Sequence, residues 1–476
     1  MSSILHSIDD LSIIKNNYLE AQARYHHQVL ICGGAGCVSA ACGKVRDAAV
    51  AMLKEQRLAE EVCVIETGCM GICAVGPVML ILPERTFYVK LDPQNVRAIL
   101  KAHLIDHKVL EEHTFYHQTF KKHIACMDDI DFFKEQVKIT LRNCGVIAYG
   151  SIEAYIARDG YLAIAKAITQ SKPEDVIRVV KESGIRGRGG AGFPTGIKWE
   201  AGYQADGVEK FMVCNADEGD PGAFMDRSII EGDPHAVLEG MMLGGYAIGA
   251  KLGYVYIRAE YPLAVERLTA AITQAYAYGI LGDHILGTDF SFDIEIRIGA
   301  GAFVCGEETA LMASIEGRRG EPVQKPPYPF QKGLYGKPTI INNVETLAAI
   351  PQILLNGAQW YAQYGTETSK GTKVFALAGD IVNSGIVEVP IGTPLGELLF
   401  RVGGGILNQK EFKAAQIGGP SGGCITKENL NTPTDYESIS RLGAIMGSGG
   451  LIAMDEDTCM ASSVFFGNWV RTTFLS

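Results

Sequence analysis

The sequence lacks an uninterrupted hydrophobic run of the length that a membrane-spanning helix needs. Its most apolar region, residues 237–257, is interrupted by Glu239 and Lys251. Residues 1–17 are polar and charged throughout and contain no apolar core of the signal-peptide kind. We therefore expect no direct membrane span and a cytoplasmic location. The twelve cysteines should then be free thiols or metal ligands, because disulfides are rare in a reducing compartment.

The chain also lacks an excess of positive charge. Its 476 residues include 43 Lys and Arg against 54 Asp and Glu, a net charge of −11, so we expect no broad nucleic-acid-binding surface. With 47% hydrophobic and 20% charged residues, the composition excludes a largely disordered chain. No repeat of solenoid period is visible. The length predicts about three domains.

The cysteines are concentrated towards the N-terminus, where six of the twelve lie between residues 32 and 73. This density marks a separate module, residues 26–105. Its hydrophobic pattern predicts the order β-α-β-β-β-α, which is close to a thioredoxin-like domain. The polar, His-containing residues 106–150 are predicted to form a linker that wraps on the next domain.

Two cysteine pairs carry the chemistry of this module. Cys32 and Cys37 stand in C-G-G-A-G-C, and Cys69 and Cys73 stand in C-M-G-I-C. Thiolates on two loops can reach one metal centre, and the glycines let backbone amides point at sulfur. A [2Fe–2S] cluster fits the long gap between the pairs. Structural zinc has an overlapping spacing, and a module without metal is a third alternative.

The rest of the chain predicts a multi-domain α/β fold. Residues 151–371 alternate apolar strands with amphipathic helices, the pattern of an α/β layer fold, and one helix is predicted over residues 151–167. Residues 372–424 change to short β-rich segments separated by Gly and Pro, which indicates a small β-grasp-like module. Residues 425–476 follow as a separate C-terminal region.

The segment 187–192 matches the dinucleotide-binding pattern G-x-G-x-x-G letter for letter. A conventional Rossmann loop requires a preceding strand and a following helix. Here the preceding residues are predicted to be helical and residues 193–196 are not predicted to open a helix, so we reject that assignment. Four glycines in six positions still let backbone amides approach a phosphate or a ring, with Arg188 and Lys198 neutralising charge. The alternative is a plain surface loop.

Three further loops are rich in polar groups. Residues 215–222 (NADEGDPG) follow a predicted strand, and ligands gather at the carboxyl ends of strands in open α/β sheets. Residues 299–311 place two glutamates at a helix start, and residues 325–346 end with an Asn pair that can hydrogen-bond a flavin or amide edge. The structural alternatives are a solvated acidic turn, a capped helix, and a Pro-rich turn with an Asn cap.

Together these motifs resemble one family, the flavoprotein (NADH-binding) subunits of NADH dehydrogenases, including the complex I subunit and relatives in NAD(P)-reducing hydrogenases. The motifs are GRGGAGFPTGIKW at 187–199, NADEGDPGAFMDR at 215–227, GAGAFVCGEETAL at 299–311 and the segment 325–346. The resemblance covers roughly residues 128–460. It implies a Rossmann-like FMN/NAD(P)-binding domain, a β-grasp (SLBB-like) insert and a C-terminal helical region. The fused cysteine module, with its [2Fe–2S] cluster, resembles the hydrogenase-type branch.

The resemblance also implies roles for individual residues. Those expected to hold the FMN phosphate and ribityl groups are Gly187, Arg188, Gly189, Gly190 and Lys198. Those expected to contact the flavin are Asn215, Asp217, Glu218, Gly306, Glu307, Asn342 and Asn343. Glu308 is expected to contact the nicotinamide nucleotide, and Phe193 and Tyr328 to clamp its adenine.

The sequence departs from the family pattern in two places. Ala201 stands where the family often has Phe, which predicts a weaker wall for the adenine site. The family follows its Glu-Asp-Thr-Cys segment with C-x-x-C-x-x-C, part of the ligand set of a [4Fe–4S] cluster. Here that motif occurs nowhere, and residues 460–476 follow Cys459 instead. We expect a truncated or frameshifted C-terminal helical region and a broken or replaced electron exit.

The resulting hypothesis is an FMN-dependent NAD(P)H dehydrogenase subunit that passes electrons through FMN to iron–sulfur clusters of a multisubunit oxidoreductase. The expected partners are a thioredoxin-like [2Fe–2S] small subunit and a larger iron–sulfur or hydrogenase subunit. The alternative is a flavin-binding scaffold without complete electron transfer, because the [4Fe–4S] motif is absent. A third interpretation is a zinc or redox module on an unrelated α/β domain.

Overall fold

The computed structural model describes residues 4–207, 209–420 and 422–459. They form three units in chain order, each built on its own sheet, and a short hairpin lies between the first two. The mixed helices and strands confirm the predicted multi-domain α/β fold class. Within these residues no helix is both long and apolar enough to cross a membrane.

The first unit, here called the cysteine unit (residues 27–104), has the predicted order of elements with one addition, the short helix α2 in the first cysteine loop. After helix α1 (Ile8–Gln22) they are β1 (His27–Cys32), α2 (Ala35–Ser39), α3 (Cys42–Glu55), β2 (Val62–Thr67), β3 (Met79–Leu82), β4 (Thr86–Tyr88) and α4 (Asn95–Leu104). The sheet order is β2-β1-β3-β4, with β1 and β2 parallel and β3 antiparallel to both its neighbours. The last four residues of β1 are buried, as expected for a strand inside the sheet.

The central unit (residues 152–362) is a parallel sheet with helices on its faces. Its elements are α6 (Ile152–Ile156), α7 (Leu162–Gln170), α8 (Pro173–Glu182), α9 (Thr195–Gln204), β7 (Phe211–Ala216), α10 (Met225–Gly232), α11 (Pro234–Ile248), β8 (Leu252–Arg258), α12 (Pro262–Ala277), β9 (Asp293–Gly299), α13 (Glu308–Ile315), β10 (Thr339–Asn343), α14 (Val344–Asn356) and α15 (Ala358–Ala362). The strand order is β10-β7-β8-β9, and all neighbours are parallel. The chain therefore reverses its direction of winding between β7 and β10.

Two local predictions for this unit were wrong. The helix predicted over residues 151–167 is broken, because Asp159 and Tyr161 have φ of +64° and +60°. That turn is held by Glu239 of α11, whose carboxylate accepts a hydrogen bond from the Tyr161 backbone N–H at 2.9 Å. The glycine-rich loop is also followed by a helix after all, since α9 begins at Thr195. The segment before the loop is the helix α8, as predicted.

The C-terminal unit (residues 372–455) extends beyond its predicted end at residue 424. Its elements are β11 (Thr372–Gly379), β12 (Gly385–Pro390), a short π-helical segment (Glu397–Val402), β13 (Phe412–Ile417), β14 (Gly423–Thr426), α16 (Tyr436–Arg441) and β15 (Gly450–Asp455). The sheet order is β12-β11-β15-β13-β14, so the last strand lies in the middle. A sheet without β15 would lose both of its inner pairings. Residues 460–476, the remainder of the predicted C-terminal helical region, lie outside the described residues.

The connecting segment (residues 106–150) contains β5 (Phe115–His117), β6 (Lys122–Ile124) and α5 (Asp131–Lys134). It is anchored by Glu388 of β12, a fully buried carboxylate. This carboxylate accepts hydrogen bonds from the backbone N–H groups of Ile139 at 3.0 Å, Thr140 at 3.0 Å and Leu141 at 2.8 Å, and from the Thr372 hydroxyl at 2.5 Å. One side chain therefore accepts from three buried backbone N–H groups of the connecting segment that would otherwise be unpaired.

We predict that Glu388→Gln lowers the free energy of unfolding by about 3 kcal/mol, because an amide NH₂ in place of an acceptor oxygen leaves buried donors unpaired. The measurement is the midpoint and slope of the first urea unfolding transition. The matched control is Glu397→Gln, at an exposed position, which should change stability by less than about 0.5 kcal/mol. Equal stability of the two variants would contradict the anchoring role.

Candidate functional site

A cavity of about 580 Å³ opens at the carboxyl edge of the central sheet. Asn215 is the second-last residue of β7 and Asn343 is the last residue of β10, and the two residues are register partners in the parallel pairing of these strands. The cavity therefore lies where the direction of winding reverses, the usual ligand position in open α/β sheets. Its volume is in the range of cofactor sites.

The structure brings seven of the predicted cofactor residues together around this cavity. They are Gly189, Asn215, Asp217, Glu218, Gly306, Glu307 and Asn343. They come from the glycine-rich loop, the ends of β7 and β10, and the turn before α13. The four motif loops found in the sequence thus meet at one site, although they are distant in the chain.

Much of the polar lining caps the helices that begin at the cavity. The carboxylate of Glu218 accepts from the backbone N–H groups of Asp226 at 3.0 Å and Arg227 at 3.2 Å, at the start of α10. Glu307 accepts from two N–H groups at the start of α13, and Asn343 from two at the start of α14. The helix-cap alternatives for residues 299–311 and 325–346 are therefore correct, and they coexist with a position in the cavity wall.

Asp217 differs from its neighbours because one of its oxygens is free. Its side chain is buried, and Oδ2 has no hydrogen-bond partner among the described residues. Burial raises the pKa of Asp217 to about 6, against the opposing effect of Arg258. An unpartnered buried acceptor in a cavity wall is a position for a ligand donor, such as a flavin ring N–H or a ribityl hydroxyl. The residues present therefore fit FMN.

Close glycine contacts shape the cavity wall. A Cβ on Gly219 would lie 2.6 Å from Cδ2 of Phe303, so a side chain there would push this ring. A Cβ on Gly189 would lie 3.2 Å from the Cβ of Asn343. The glycine-rich loop can approach the end of β10 only because it carries no side chain at that point.

Sequence reasoning missed part of the lining. The missed residues are Gly219, Asp220, Asp226, Phe303, Val304, Pro322 and Ser448. Most lie inside motifs already recognised, so their proximity to predicted residues was an available signal. Ser448 comes from the C-terminal unit and donates to Asp220 Oδ2 at 2.7 Å. No local pattern marks it, because it reaches the site only through packing between units.

Two predicted side chains point away from the cavity. Arg188 is buried, and its guanidinium donates to the Tyr361 hydroxyl at 2.8 Å and to the Lys370 carbonyl at 2.8 Å. The predicted charge contact from this guanidinium to a phosphate is therefore not available in this structure. Asn342 accepts from the Trp199 indole N–H at 2.9 Å. Both side chains hold the loop and the strand that frame the cavity.

The remaining predicted residues lie around these elements and outside the cavity lining. Gly187 accepts through its carbonyl from the Tyr436 hydroxyl at 2.9 Å, and Gly190 packs against Gly447. Lys198 donates to the Ile341 carbonyl at 3.1 Å, and burial lowers the pKa of its amine.

The predicted nucleotide contacts are more exposed. Glu308 accepts from Lys325 Nζ at 2.7 Å and lies 4.0 Å from Lys198 Nζ. Phe193 and Tyr328, the predicted adenine clamp, are both exposed. The Tyr328 ring stacks in parallel on Phe330, with centroids 5.6 Å apart.

The second candidate site is formed by the predicted metal ligands. Cys32, Cys37, Cys69 and Cys73 line one small cavity between the two loops of the cysteine unit. The Cys69 and Cys73 sulfurs are 4.0 Å apart. Interaction with Cys32 and burial raise the pKa of the Cys37 thiol. Within residues 4–207, 209–420 and 422–459 no three ligating side chains converge on a single-ion position, whereas a [2Fe–2S] cluster distributes four thiolates over two irons.

The cysteine loops are packed tightly enough to require glycine. A Cβ on Gly34 would lie 2.8 Å from the Cys69 Cβ, and one on Gly76 would lie 3.0 Å from the Cys37 sulfur. The four-thiol arrangement, closed in by backbone, therefore fits a [2Fe–2S] cluster.

The two sites are joined by helix α10. Asp226 in its first turn lines the cavity, and Gly232 at its end touches Gly68, the residue before Cys69. A Cβ on Gly68 would lie 2.2 Å from the Gly232 Cα, so the two backbones are in direct contact. Gly232 follows Asp226 by six positions along the helix, a rise of about 9 Å.

Comparisons with known proteins find related sequences. The family model described as the Nuo51 FMN-binding domain matches residues 180–352, and that of the thioredoxin-like [2Fe-2S] ferredoxin matches residues 17–104. NADP-reducing hydrogenase subunit HndC of Solidesulfovibrio fructosivorans is 59% identical over 333 residues, 70% of this chain and 68% of HndC. An NADH-quinone oxidoreductase subunit of Rhizobium meliloti (strain 1021) is 45% identical over 322 residues, 68% of this chain and 76% of that subunit.

The fold is also similar to that of a solved protein. A crystal structure of an NAD+-reducing [NiFe]-hydrogenase in the H2-reduced state matches with a TM-score of 0.60 and 28% sequence identity. The match covers 96% of this chain and 76% of that chain. Because it covers nearly the whole chain, the similarity includes all three units.

We predict that FMN binding weakens as the pH falls through about 6, because protonation of Asp217 removes the free acceptor. The carboxylate form exists above this pKa, so the contribution is present at neutral pH and is lost in acid. A hydrogen bond to a charged acceptor is worth about 1.5–3 kcal/mol, so the dissociation constant should rise about tenfold or more. The measurement is quenching of flavin fluorescence on binding to the flavin-free chain.

The control is Asp217→Asn, which should bind more weakly at neutral pH and lose most of this pH dependence. Because the FMN phosphate titrates near pH 6 itself, riboflavin is the second probe. A pH profile that is the same in the wild type and in Asp217→Asn, with both ligands, would contradict the role of Asp217.

Proposed function

Because the chain belongs to the same family of flavoprotein subunits as HndC and the NADH-quinone oxidoreductase subunit of Rhizobium meliloti, we propose that its central cavity is the site of NAD(P)H oxidation. The family makes the chain an FMN-binding oxidoreductase with a thioredoxin-like [2Fe–2S] unit. The observation that carries the assignment of the cavity is Asp217 Oδ2, which lies at the switch point of the parallel sheet and has no hydrogen-bond partner among residues 4–207, 209–420 and 422–459.

The residues proposed to hold FMN are those that meet around the cavity: Gly189, Asn215, Asp217, Glu218, Gly306, Glu307 and Asn343. Bound FMN supplies hydride acceptance from a nicotinamide and the release of electrons one at a time. The chain's part is to orient the ring and to exclude water. Asn215 and Asn343 fix two strand ends, and the Asp217 oxygen accepts a hydrogen bond from the ligand.

The rim of the cavity is proposed to receive the nicotinamide nucleotide. Glu308 stands at the N-terminus of α13 and is held by Lys325. Tyr328 presents a flat, exposed ring, stacked on Phe330, that can carry an adenine. Lys198 and Lys325 supply cations near Glu308 for the nucleotide phosphates.

The [2Fe–2S] cluster is proposed to be held by Cys32, Cys37, Cys69 and Cys73. We prefer it to the zinc and metal-free alternatives because the [2Fe-2S] family model matches this unit. The cluster loop lies at the far end of α10 from the cavity. We propose that electrons leave the cavity towards this cluster over the short distance that α10 spans. The scaffold alternative is not favoured, because the similar proteins are named as subunits of a hydrogenase and of an NADH-quinone oxidoreductase.

The chain is proposed to work with partner subunits, a thioredoxin-like [2Fe–2S] small subunit and a larger iron–sulfur or hydrogenase subunit. The support is that the similar proteins are themselves named as subunits of such enzymes.

We predict that the tagged chain, purified under mild conditions from its own cells, carries iron–sulfur subunits in fixed stoichiometry by native mass spectrometry. Recovery of the chain alone at every salt concentration would contradict this proposal.

The central prediction is that NADH or NADPH, added anaerobically to the chain reconstituted with FMN, iron and sulfide, bleaches the flavin band and then the iron–sulfur band. The first change reports nucleotide oxidation, and the second reports transfer to the cluster. The measurement is the visible spectrum during titration with each nucleotide. An FMN-loaded sample whose flavin band is bleached by neither nucleotide would contradict the dehydrogenase assignment.

Matched variants separate the two sites. Cys69→Ser should abolish the iron–sulfur band but keep flavin bleaching, while Cys63→Ser, at a half-buried position on β2, should behave as wild type.

Gly219→Ala should raise the FMN dissociation constant about tenfold, because its added Cβ pushes the Phe303 ring and overpacking costs about 1–3 kcal/mol. Its control is Gly43→Ala, where an added Cβ meets nothing within 4 Å.

A further inference from the structure

A buried cation from the central unit reaches into the cysteine unit. Arg267 lies on α12 and is 5% exposed. Its Nη2 donates to the carbonyl of Gly33, the residue after Cys32, at 2.7 Å, and its Nη1 donates to the Glu231 carbonyl at 2.8 Å. Its guanidinium carbon lies 3.5 Å from the centroid of the Tyr149 ring. One side chain therefore joins the first cysteine loop, the end of α10 and the connecting segment.

The charge of Arg267 has no direct counter-ion among the described residues. Its partners are two carbonyl oxygens and an aromatic ring. Beside the same loop, Arg46 and Glu66 form an ion pair with each other at 2.6 Å, so Glu66 already has its own cation. A buried cation without a carboxylate partner favours any negative charge that develops near it, because little solvent screens it.

A buried anion touches the same loop from the same side. Glu231, at the end of α10, is 1% exposed. Its Oε2 accepts from the Ala35 backbone N–H at 3.0 Å, at the start of the short helix that carries Cys37. Its Oε1 lies 3.7 Å from Arg227 Nε. The loop between Cys32 and Cys37 thus has a cation and an anion of the central unit bonded to its backbone at two nearby points.

We propose that Arg267 and Glu231 are positioning residues that set the reduction potential of the [2Fe–2S] cluster in opposite directions. Reduction places one electron, and so one more negative charge, on the cluster. Arg267 favours the reduced cluster and Glu231 opposes it. The central unit thereby adjusts how readily the cluster takes an electron from the neighbouring flavin. This inference rests on the proposed cluster ligands.

The experiment is a redox titration with dithionite of the full chain, reconstituted with FMN and the cluster, monitored by the EPR signal of the reduced cluster. Arg267→Gln should lower the equilibrium constant for cluster reduction about tenfold, which is about 59 mV for one electron. Glu231→Gln should raise it at least threefold. Arg267→Lys, which keeps the charge, should lie closer to wild type than to Arg267→Gln.

The opposite signs distinguish an electrostatic role from a loosened loop. The proposal is overturned if Arg267→Gln and Glu231→Gln shift the potential in the same direction. It is also overturned if the equilibrium constant for cluster reduction in Arg267→Gln lies within threefold of wild type, or if Arg267→Lys and Arg267→Gln have equal potentials. The control is Arg297→Gln, which also removes an arginine stacked on a tyrosine but lies on β9, and it should leave the potential unchanged. A wild-type chain without the EPR signal would instead contradict the ligand assignment. If Arg267→Gln alone fails to hold a cluster, the sign for Glu231→Gln decides.

Discussion

Direct contact between the backbones of Gly68 and Gly232 determines how the two cofactor sites are arranged. A side chain on Gly68 would begin 2.2 Å from the Gly232 Cα, so neither unit can move closer and no larger residue fits between them. Gly68 leads into the second cysteine loop, and Gly232 ends the helix whose first turn lines the cavity proposed for FMN. The residue of α10 that lines the cavity and the residue that touches this loop are therefore about 9 Å apart along the helix. The buried groups of Arg267 and Glu231 lie at the same contact.

The acidic lining of a cavity for an anionic cofactor has a structural explanation. The helices α10, α13 and α14 begin at the cavity, and the first backbone N–H groups of each have no acceptor within their own helix. Glu218 and Glu307 are committed to these groups, and Asn343 serves the third helix. These side chains therefore already accept hydrogen bonds from the protein itself when no ligand is bound. Asp217 Oδ2 has no hydrogen-bond partner in the part of the chain that the structure describes, so it is available to a hydrogen-bond donor.

Local chemistry explains which of the predicted residues the structure brings to the cavity. Asn215 and Glu307 sit in glycine-rich motifs at a strand end and a helix start, and both positions can be read from a few neighbouring residues. The prediction for the Arg188 guanidinium failed because charge alone does not say which way a side chain points; Tyr361, far along the chain, takes it instead. The helix break at Tyr161 escaped detection for the same reason, since Glu239 of another helix holds the turn.

The sequence by itself determined the class of fold, the paired cysteines and the four polar loops, because each depends on short-range periodicity or spacing. Only the tertiary structure decided that Ser448 completes the cavity wall, that Glu388 anchors the connecting segment, and that Arg267 touches the first cysteine loop. These contacts join residues 228, 249 and 234 positions apart. Their existence depends on how the three sheets pack against one another, and no local pattern of residues records that packing.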